Sequence, residues 1–571
     1  MSILMTSIIT DYLSPIQWIV LTLITIVSVL TYYHFKWKRL LSYWSARNID
    51  GPKPLSIFGN LLDKYSTAKP LLELQWYRQF GRLYGTYTGP LHDLTIADPE
   101  LIKQILVKDF HRFRNRRDVR ISEQSSREPM MNHMFSARDD TWKRLRAIAS
   151  PTFTSGRLRK LFGLIGECCD DFVDHLDGLA ERREPIDAKK VMGHLTMDVI
   201  GRCAFATKPN TYTDPDDQFT RSANSLFYIP LWRIVLLIVL PAKLMSQPFF
   251  WRRLLRLGGV DFFINLSRKL MAHRRQTNTK YNDFLQLLMD AEHNNNDSVE
   301  HREASDANEA HHVNEGDDEL RANREALSNV SAKRLTEDEI LGQCFLFFIA
   351  GYETSATTLS YCMYELALNP EFQERLFEEI NCAVGKNGKI DYELLSSLPF
   401  LDSLISETLR KYPPALRLER EAQENIDLGD TGIQLEKGAL CEIPIYAIHH
   451  DPEYYPEPDR FNPDRFMPEN RHLLRPYTYL PFGVGPRNCI GMRFALLEGK
   501  LALAKLSQRF RFKRVPETDV PVVFNIGEDG IRARRLLVPK GSHEGKHSAF
   551  PHIAVSRRGG SRDHVTPPNL T

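Results

Sequence analysis

The chain lacks the marks of several common site chemistries. Its eight cysteines, Cys168, Cys169, Cys203, Cys344, Cys362, Cys382, Cys441 and Cys489, form no Cys-x-x-Cys pair and no zinc-type spacing. Eight in 571 residues are too few for a disulfide scaffold, so most are expected as buried apolar fillers. Charge of one sign is not in excess: 74 Lys/Arg stand against 72 Asp/Glu, net +2, which gives no reason to expect a nucleic-acid partner. There is no internal repeat and no flavin- or nicotinamide-binding motif. Strand-like runs are few, "YGTYTGPLHDLTIA" and "ALCEIPIYAI" among them. What is present is apolar residue spacing at i, i+3, i+4 in tracts near 140–165, 188–205, 252–290, 336–370 and 490–510. The pattern predicts a mainly α fold with small β-sheets, and 42% hydrophobic residues are ample for a large core.

One apolar run is long. Ile16 to Phe35 holds 20 residues without a formal charge, enough at ~1.5 Å per residue to cross ~30 Å of hydrocarbon. Only Asp11 precedes it, while Lys36, Lys38 and Arg39 follow. A cleaved signal would carry its positive charge first, so the run is read as an uncleaved single anchor, with residues 1–14 luminal, 15–35 in the membrane and the rest cytosolic. Residues 36–60 are basic and proline-rich. Pro52 and Pro54 in "GPKPLSIFGN" resist helix and suggest a stiff spacer.

Three stretches break the helical patterning. Ala291 to Ala326 holds eleven Asp/Glu against three Lys/Arg and almost no apolar residue; an acidic insert over about 291–330 is expected to be a disordered surface loop. The tail, 541–571, mixes Gly, Ser, Pro and basic residues and is expected to be unstructured. Ile234 to Leu240, "IVLLIVL", is too short to span a bilayer; with Pro248 to Trp251 it is either a surface dip into the membrane or a core helix.

The chemistry concentrates in "PFGVGPRNCIGMRFA", Pro481 to Ala495. A structural cysteine needs no such company, whereas a metal-binding thiolate must be deprotonated, shielded and hydrogen-bonded. Gly485 and Gly491 would let backbone approach a flat cofactor. Arg487 would pair with a carboxylate, and Phe482 would cover the sulfur. The apolar run after Cys489 would bring a helix N-terminus, with its free N–H groups, to the thiolate.

Taken whole, Phe482-x-x-Gly485-x-Arg487-x-Cys489-x-Gly491 resembles the cytochrome P450 haem-thiolate monooxygenases, and further motifs follow in that family's order between Gly51 and Pro539. The resemblance implies the cytochrome P450 fold, with a haem-binding catalytic domain over 61–540 behind a single transmembrane helix. It implies heme b with Cys489 as axial ligand to iron. Trp142 and Arg146 share a helix face and, with Arg116 and Arg420, would contact haem propionates; Phe482, Arg487 and Gly491 complete the cofactor set. Glu353 and Thr354, in "FIAGYET", would help deliver protons to the oxygen being activated, in a helix distorted at Gly351 to make room. Glu407, Arg410 and Arg465 would form a buried supporting network; the family's usual acid before that last arginine is Glu, and Asp464 stands here. Ala350, Ala415 and Leu416 would face substrate. Further pocket segments would be Asp118 to Phe135, Phe227 to Met245 and Ile526 to Ile531.

The motif spellings are most similar to the microsomal broad-specificity drug- and steroid-oxidising branch. That likeness implies an endoplasmic reticulum enzyme that inserts one oxygen atom from O2 into lipophilic substrates such as xenobiotics, steroids or fatty acids. It also implies NADPH–cytochrome P450 reductase as partner, with cytochrome b5 as a second, since the chain has no electron-carrier motif of its own. Lys143, Arg144, Lys500 and Lys505 are expected as exposed docking cations for an acidic donor. Two alternatives stay open: a peroxide-rearranging isomerase that needs no electrons, and a non-catalytic haem sensor or carrier.

Overall fold

The helical periodicities become helices whose ends are set by local chemistry. The computed structural model describes residues 15–56, 58–89, 91–118, 128–182, 185–209, 211–212, 218–226, 232–233, 236, 247, 258–293, 316–328, 334–385, 388–524 and 551–558. The longer helices are α1 (Pro15–Leu41), α2 (Lys69–Phe80), α3 (Asp139–Ala149), α4 (Ser155–Arg182), α5 (Ala188–Phe205) and α6 (Val260–Thr277). They continue with α7 (Phe284–His293), α8 (Gly316–Leu327), α9 (Glu337–Leu368), α10 (Pro370–Val384), α11 (Pro399–Lys411) and α12 (Met492–Arg509). The strands are β1 (Leu83–Thr88), β2 (Leu91–Ile96), β3 (Ile186–Asp187), β4 (Arg417–Glu421), β5 (Ile426–Asp427), β6 (Gln434–Leu435), β7 (Leu440–Pro444), β8 (Phe510–Arg514) and β9 (His552–Arg557). The fold is mainly α with small sheets.

Helix α9 is the axis of the molecule. Thr336 caps it: its hydroxyl accepts from Glu339 N at 3.2 Å, and Glu339 returns a bond from Thr336 N at 2.9 Å, a reciprocal capping box. Its apolar residues feed three cores at once. Phe345 and Phe348 pack with α3, α5, α6 and α7; Leu359, Cys362 and Leu366 pack with α4, α5 and α12; Tyr361 and Tyr364 pack toward the larger sheet. A helix apolar all round is what such a position demands. The larger sheet runs β1-β2-β7-β4, with β2 parallel to β7 (Leu94 opposite Cys441) and the other pairs antiparallel. The strand-like "ALCEIPIYAI" is therefore strand only to Pro444; Ile445–His449 turns helical. Among the described residues, none in the apolar stretch of α1 is buried in the protein.

Several expectations change here. Residues 44–60 are not a free spacer. Trp44 is buried and its indole N–H donates to Thr86 O at 3.2 Å, Asp50 O accepts from Gly85 N at 2.9 Å, and Asn60 is buried against β1. The two prolines stiffen a segment that is docked. In the tail, His552–Arg557 is a strand pairing with both β3 and β8, because Ile553 and Val555 alternate toward the core while basic and polar residues face out. In the acidic insert, residues 316–327 form α8, which packs its alanines and Leu327 on the body. Residues 291–293 end α7, while 294–315 and 329–330 of the insert, Pro248 to Trp251, Ile526 to Ile531, residues 1–14, and all of Ile234 to Leu240 but Leu236 lie outside the described residues.

Candidate active site

The loop before α12 presents Cys489. The chain folds back so that Cys489 N donates to Phe482 O at 2.8 Å, and Gly491 is the N-cap of α12, its N–H directed at the sulfur. Cys489 has accessible surface, yet protein surrounds it closely enough that burial pushes its thiol pKa up. The Gly491 N–H and the charges of Arg146 and Arg116 act in the opposite sense. Metal coordination deprotonates such a thiol outright. The other cysteines are buried, apart from exposed Cys382.

Gly485 has a different role from the one expected. It sits at φ +72°, and a Cβ there would lie 2.0 Å from Leu106 O. The glycine is required because the loop presses on the polypeptide at residues 104–108, not to admit a cofactor. At Gly491 an added Cβ would meet only Phe153 at 3.9 Å.

Around this loop the fold gathers guanidinium groups from four parts of the chain. Arg146, on α3, donates to Asn488 O at 2.9 Å and Asn488 Oδ1 at 2.7 Å, tying α3 to the residue before Cys489. Arg116 reaches Phe135 O at 3.2 Å and Arg487 O at 3.5 Å, and stacks 4.1 Å from the Phe135 ring. Arg487 stacks 4.7 Å from the Trp142 ring and donates Nη2 to Ala137 O at 2.5 Å; its Nε and Nη1 are buried with no protein acceptor. Arg420, at the end of β4, gives one bond to Glu419 O at 2.7 Å and leaves Nε buried and unmatched.

Electrostatics show the same deficit. Burial, with Arg116 and Arg420 next, pulls Arg487 down to about 7. Burial and Arg116 bring Arg420 to about 9, and burial brings Arg116 to about 10 despite Glu419. Buried cations with orphaned donors cost free energy unless an anion meets them. The sequence missed Arg138, which clamps Glu421 at 2.8 and 2.7 Å and donates to Arg116 O. A lone arginine carries no sequence signal, and its partner is 283 residues away.

Past the first turn of α9, where Glu337 and Asp338 are exposed, the exposed positions are Ala350 and Thr354, one turn apart in a stretch otherwise largely buried, so one stripe of the central helix faces open space. The helix runs unbroken through Gly351, and the expected distortion is not seen. A Cβ at Gly351 would meet Ile200 Cδ1 at 2.6 Å, so the glycine lets α5 pack close. Thr354 Oγ1 donates back to Ala350 O at 2.6 Å. Glu353 points to the other side, where Lys189 Nζ stands 3.1 Å from its Oε1 and 2.8 Å from its backbone O. This lysine was also not legible in the sequence. Near β4, Leu416 is buried and Ala415 exposed.

The supporting network assembles at the far end of α11. Glu407 receives Arg410 at 2.7 and 2.8 Å and Asn462 N at 2.9 Å, with both ionic side chains fully buried. Arg465 Nε lies 3.5 Å from Glu407 without hydrogen-bond geometry. Asp464 turns away to Arg375 at 2.6 Å. Three of the four expected docking cations are engaged within the protein: Arg144 with Glu339, Lys500 with Asp402 at 2.8 Å, Lys505 with Asp170 at 2.6 Å; Lys143 is half-buried on α3.

What such a site can hold is narrow. A thiolate ligand calls for a metal and the arginines call for carboxylates; haem carries both in one flat group, which places the chain among the haem-thiolate proteins. The chain matches the family described as Cytochrome P450 over residues 49–315 and 298–531. It is 36% identical over 485 residues to cytochrome P450 3A2 of Rattus norvegicus, covering 83% of this chain and 88% of the relative. Cytochrome P450 3A11 of Mus musculus is 34% identical over 521 residues, 90% and 94%. Cytochrome P450 3A27 of Oncorhynchus mykiss is 32% identical over 536 residues, 93% and 94%. The chain belongs to the cytochrome P450 family, is a haem-thiolate monooxygenase, and is similar to the 3A branch that its motif spellings suggested.

Proposed function

We propose that Cys489 would ligate the haem iron through its thiolate and that Arg116, Arg146, Arg420 and Arg487, with Trp142, would seat the haem propionates. The observation that carries this is the set of orphaned guanidinium donors beside the cysteine loop. Haem, when bound, would supply the oxidising chemistry, with Cys489 as its thiolate ligand. The chain's own residues do the rest. Phe482 and the Gly491 N–H shield and hold the sulfur. Ala350, Ala415 and Leu416 border the substrate. Thr354 presents a hydroxyl on the open stripe, and Glu353, held by Lys189, is the proton reservoir one residue away. Glu407, Arg410 and Arg465 keep the cysteine side of the fold rigid.

The substrates are lipophilic small molecules partitioned from the bilayer: xenobiotics, steroids or fatty acids. Electrons come from NADPH through NADPH–cytochrome P450 reductase, with cytochrome b5 as a second donor. Helix α1 anchors the enzyme in the endoplasmic reticulum membrane with the catalytic domain in the cytosol.

The test is a substrate panel with reductase and NADPH, scored as oxygenated product per NADPH consumed. Product formed from organic hydroperoxides without NADPH consumption would replace oxygenation by rearrangement, and haem binding without either would leave a carrier. In the same preparation Cys489→Ser should abolish the thiolate-shifted Soret band of the reduced carbonyl complex. Survival of that band would remove Cys489 as ligand.

A further inference from the structure

Helix α8 comes from the acidic insert and sits on the cysteine side of the molecule. Asp318 pairs with Lys103 at 3.0 Å, and Lys103 with the more distant Lys108 holds its carboxyl below the usual range. Glu319 is buried, with Oε2 3.5 Å from the N–H of Gly485, four residues before Cys489. Ala322 packs on the cluster that includes Leu106 and Val484; Ala326 and Leu327 pack on the one that includes Trp142 and Leu145. The helix touches the 104–112 segment and α3, the elements that flank the cysteine loop. Its outer side carries Asp317, Arg321, Arg324 and Glu325, all exposed.

A donor docked on the surface that α8 covers would stand against Gly485, four residues before Cys489, and against the elements that flank the cysteine loop. An acidic donor would be drawn to the cations there, Lys103 and Lys108 among them. Those cations already face the first turn of α8, where Asp317, Asp318 and Glu319 stand in a row. One surface thus has two acidic claimants, and they cannot sit on it together.

We propose that α8 is an internal competitor for the electron donor's docking surface, so that reduction by the donor requires α8 to leave. The inference rests on the reading above that an external acidic reductase supplies the electrons. The surface accepts an acidic amphipathic helix from this chain in the resting enzyme and the acidic face of the reductase in the working one. Loss of the Asp318 and Glu319 charges weakens the internal claimant without touching the enzyme's cations, Lys103 and Lys108, that the donor would meet.

The test uses the full-length holoenzyme in vesicles with reductase and NADPH under carbon monoxide, following appearance of the reduced carbonyl complex. The double variant Asp318→Asn, Glu319→Gln should be reduced about three- to ten-fold faster at sub-saturating reductase, as expected for loss of one partly exposed ion pair and one buried contact. Its half-saturating reductase concentration should fall in step. Reduction by dithionite and peroxide-driven turnover should match wild type, which separates docking from haem seating. Should the double variant lose the thiolate-shifted band, Asp318→Asn alone is read the same way. Equal or slower reductase-driven reduction in the variant overturns the inference alone. Absence of reductase-driven reduction in both forms, with the band intact, overturns the donor assignment and the inference together.

Discussion

Replacing Arg487 by methionine should move two properties in opposite directions. The guanidinium is buried, gives one bond to Ala137 O, and leaves Nε and Nη1 unmatched. Two orphaned donors cost about 1–3 kcal/mol each. The stack on Trp142 at 4.7 Å returns about 0.5–2 kcal/mol. Methionine fills similar space with no donor to satisfy. The haem-free protein should therefore gain up to about 5 kcal/mol, read as a higher urea midpoint by circular dichroism. In the holoenzyme the same change removes a buried partner of a carboxylate. Breaking such a pair costs about 2–5 kcal/mol, so haem loss should accelerate roughly 30- to 5,000-fold. Transfer of haem to excess apomyoglobin measures that rate. If the haem-free variant is less stable than wild type, Arg487 is a structural cation. If haem loss is unchanged, no carboxylate is seated there. Either result refutes the reasoning.

Thr354→Ala should keep haem and substrate spectra but lower product formed per NADPH, because the hydroxyl stands on the exposed stripe of α9; equal coupling in both enzymes would show that this hydroxyl plays no part. Glu407→Gln should cost about 3–5 kcal/mol in denaturant unfolding, since Arg410 would remain as a fully buried cation without its counter-charge. A loss under about 1 kcal/mol would mean that the network is not held by that charge. Glu498 is buried with Ser355 as its partner, and burial pushes its carboxyl from 4.5 up to about 8. A carboxyl raised on folding stabilises fully below its unfolded value, and that contribution is lost as pH rises through about 8. Glu498→Gln should therefore match wild type near about pH 5 and exceed it near about pH 8, as chemical unfolding at both values would show; parallel pH profiles would refute the shift.

The sequence alone determined whatever depends on residues near one another along the chain. Apolar periodicity placed the helices, the uninterrupted apolar run placed α1, and the spacing around Cys489 pointed to a thiolate ligand within fifteen residues of text. Such features are legible because helix geometry and loop chemistry act over a few residues. Resemblance to a family then supplied the partners of that cysteine, but not the reasons for them.

Tertiary structure decided which charges meet. Arg116 and Arg487 meet across 371 residues, and the donors left without acceptors on Arg420 and Arg487 are a deficit that arises only when folding removes water from both. Lys189 reaches Glu353 across 164 residues, which no local pattern encodes. Gly485 looked like room for a cofactor and is instead room for Leu106 O, a contact made by a distant turn. Composition called the insert and the tail unstructured. Yet Gly316–Leu327 folds against the cysteine side, and His552–Arg557 completes a sheet between β3 and β8. Short, charged segments bury too little apolar surface to order themselves; they take structure from a surface already built, and that surface exists only in the folded chain.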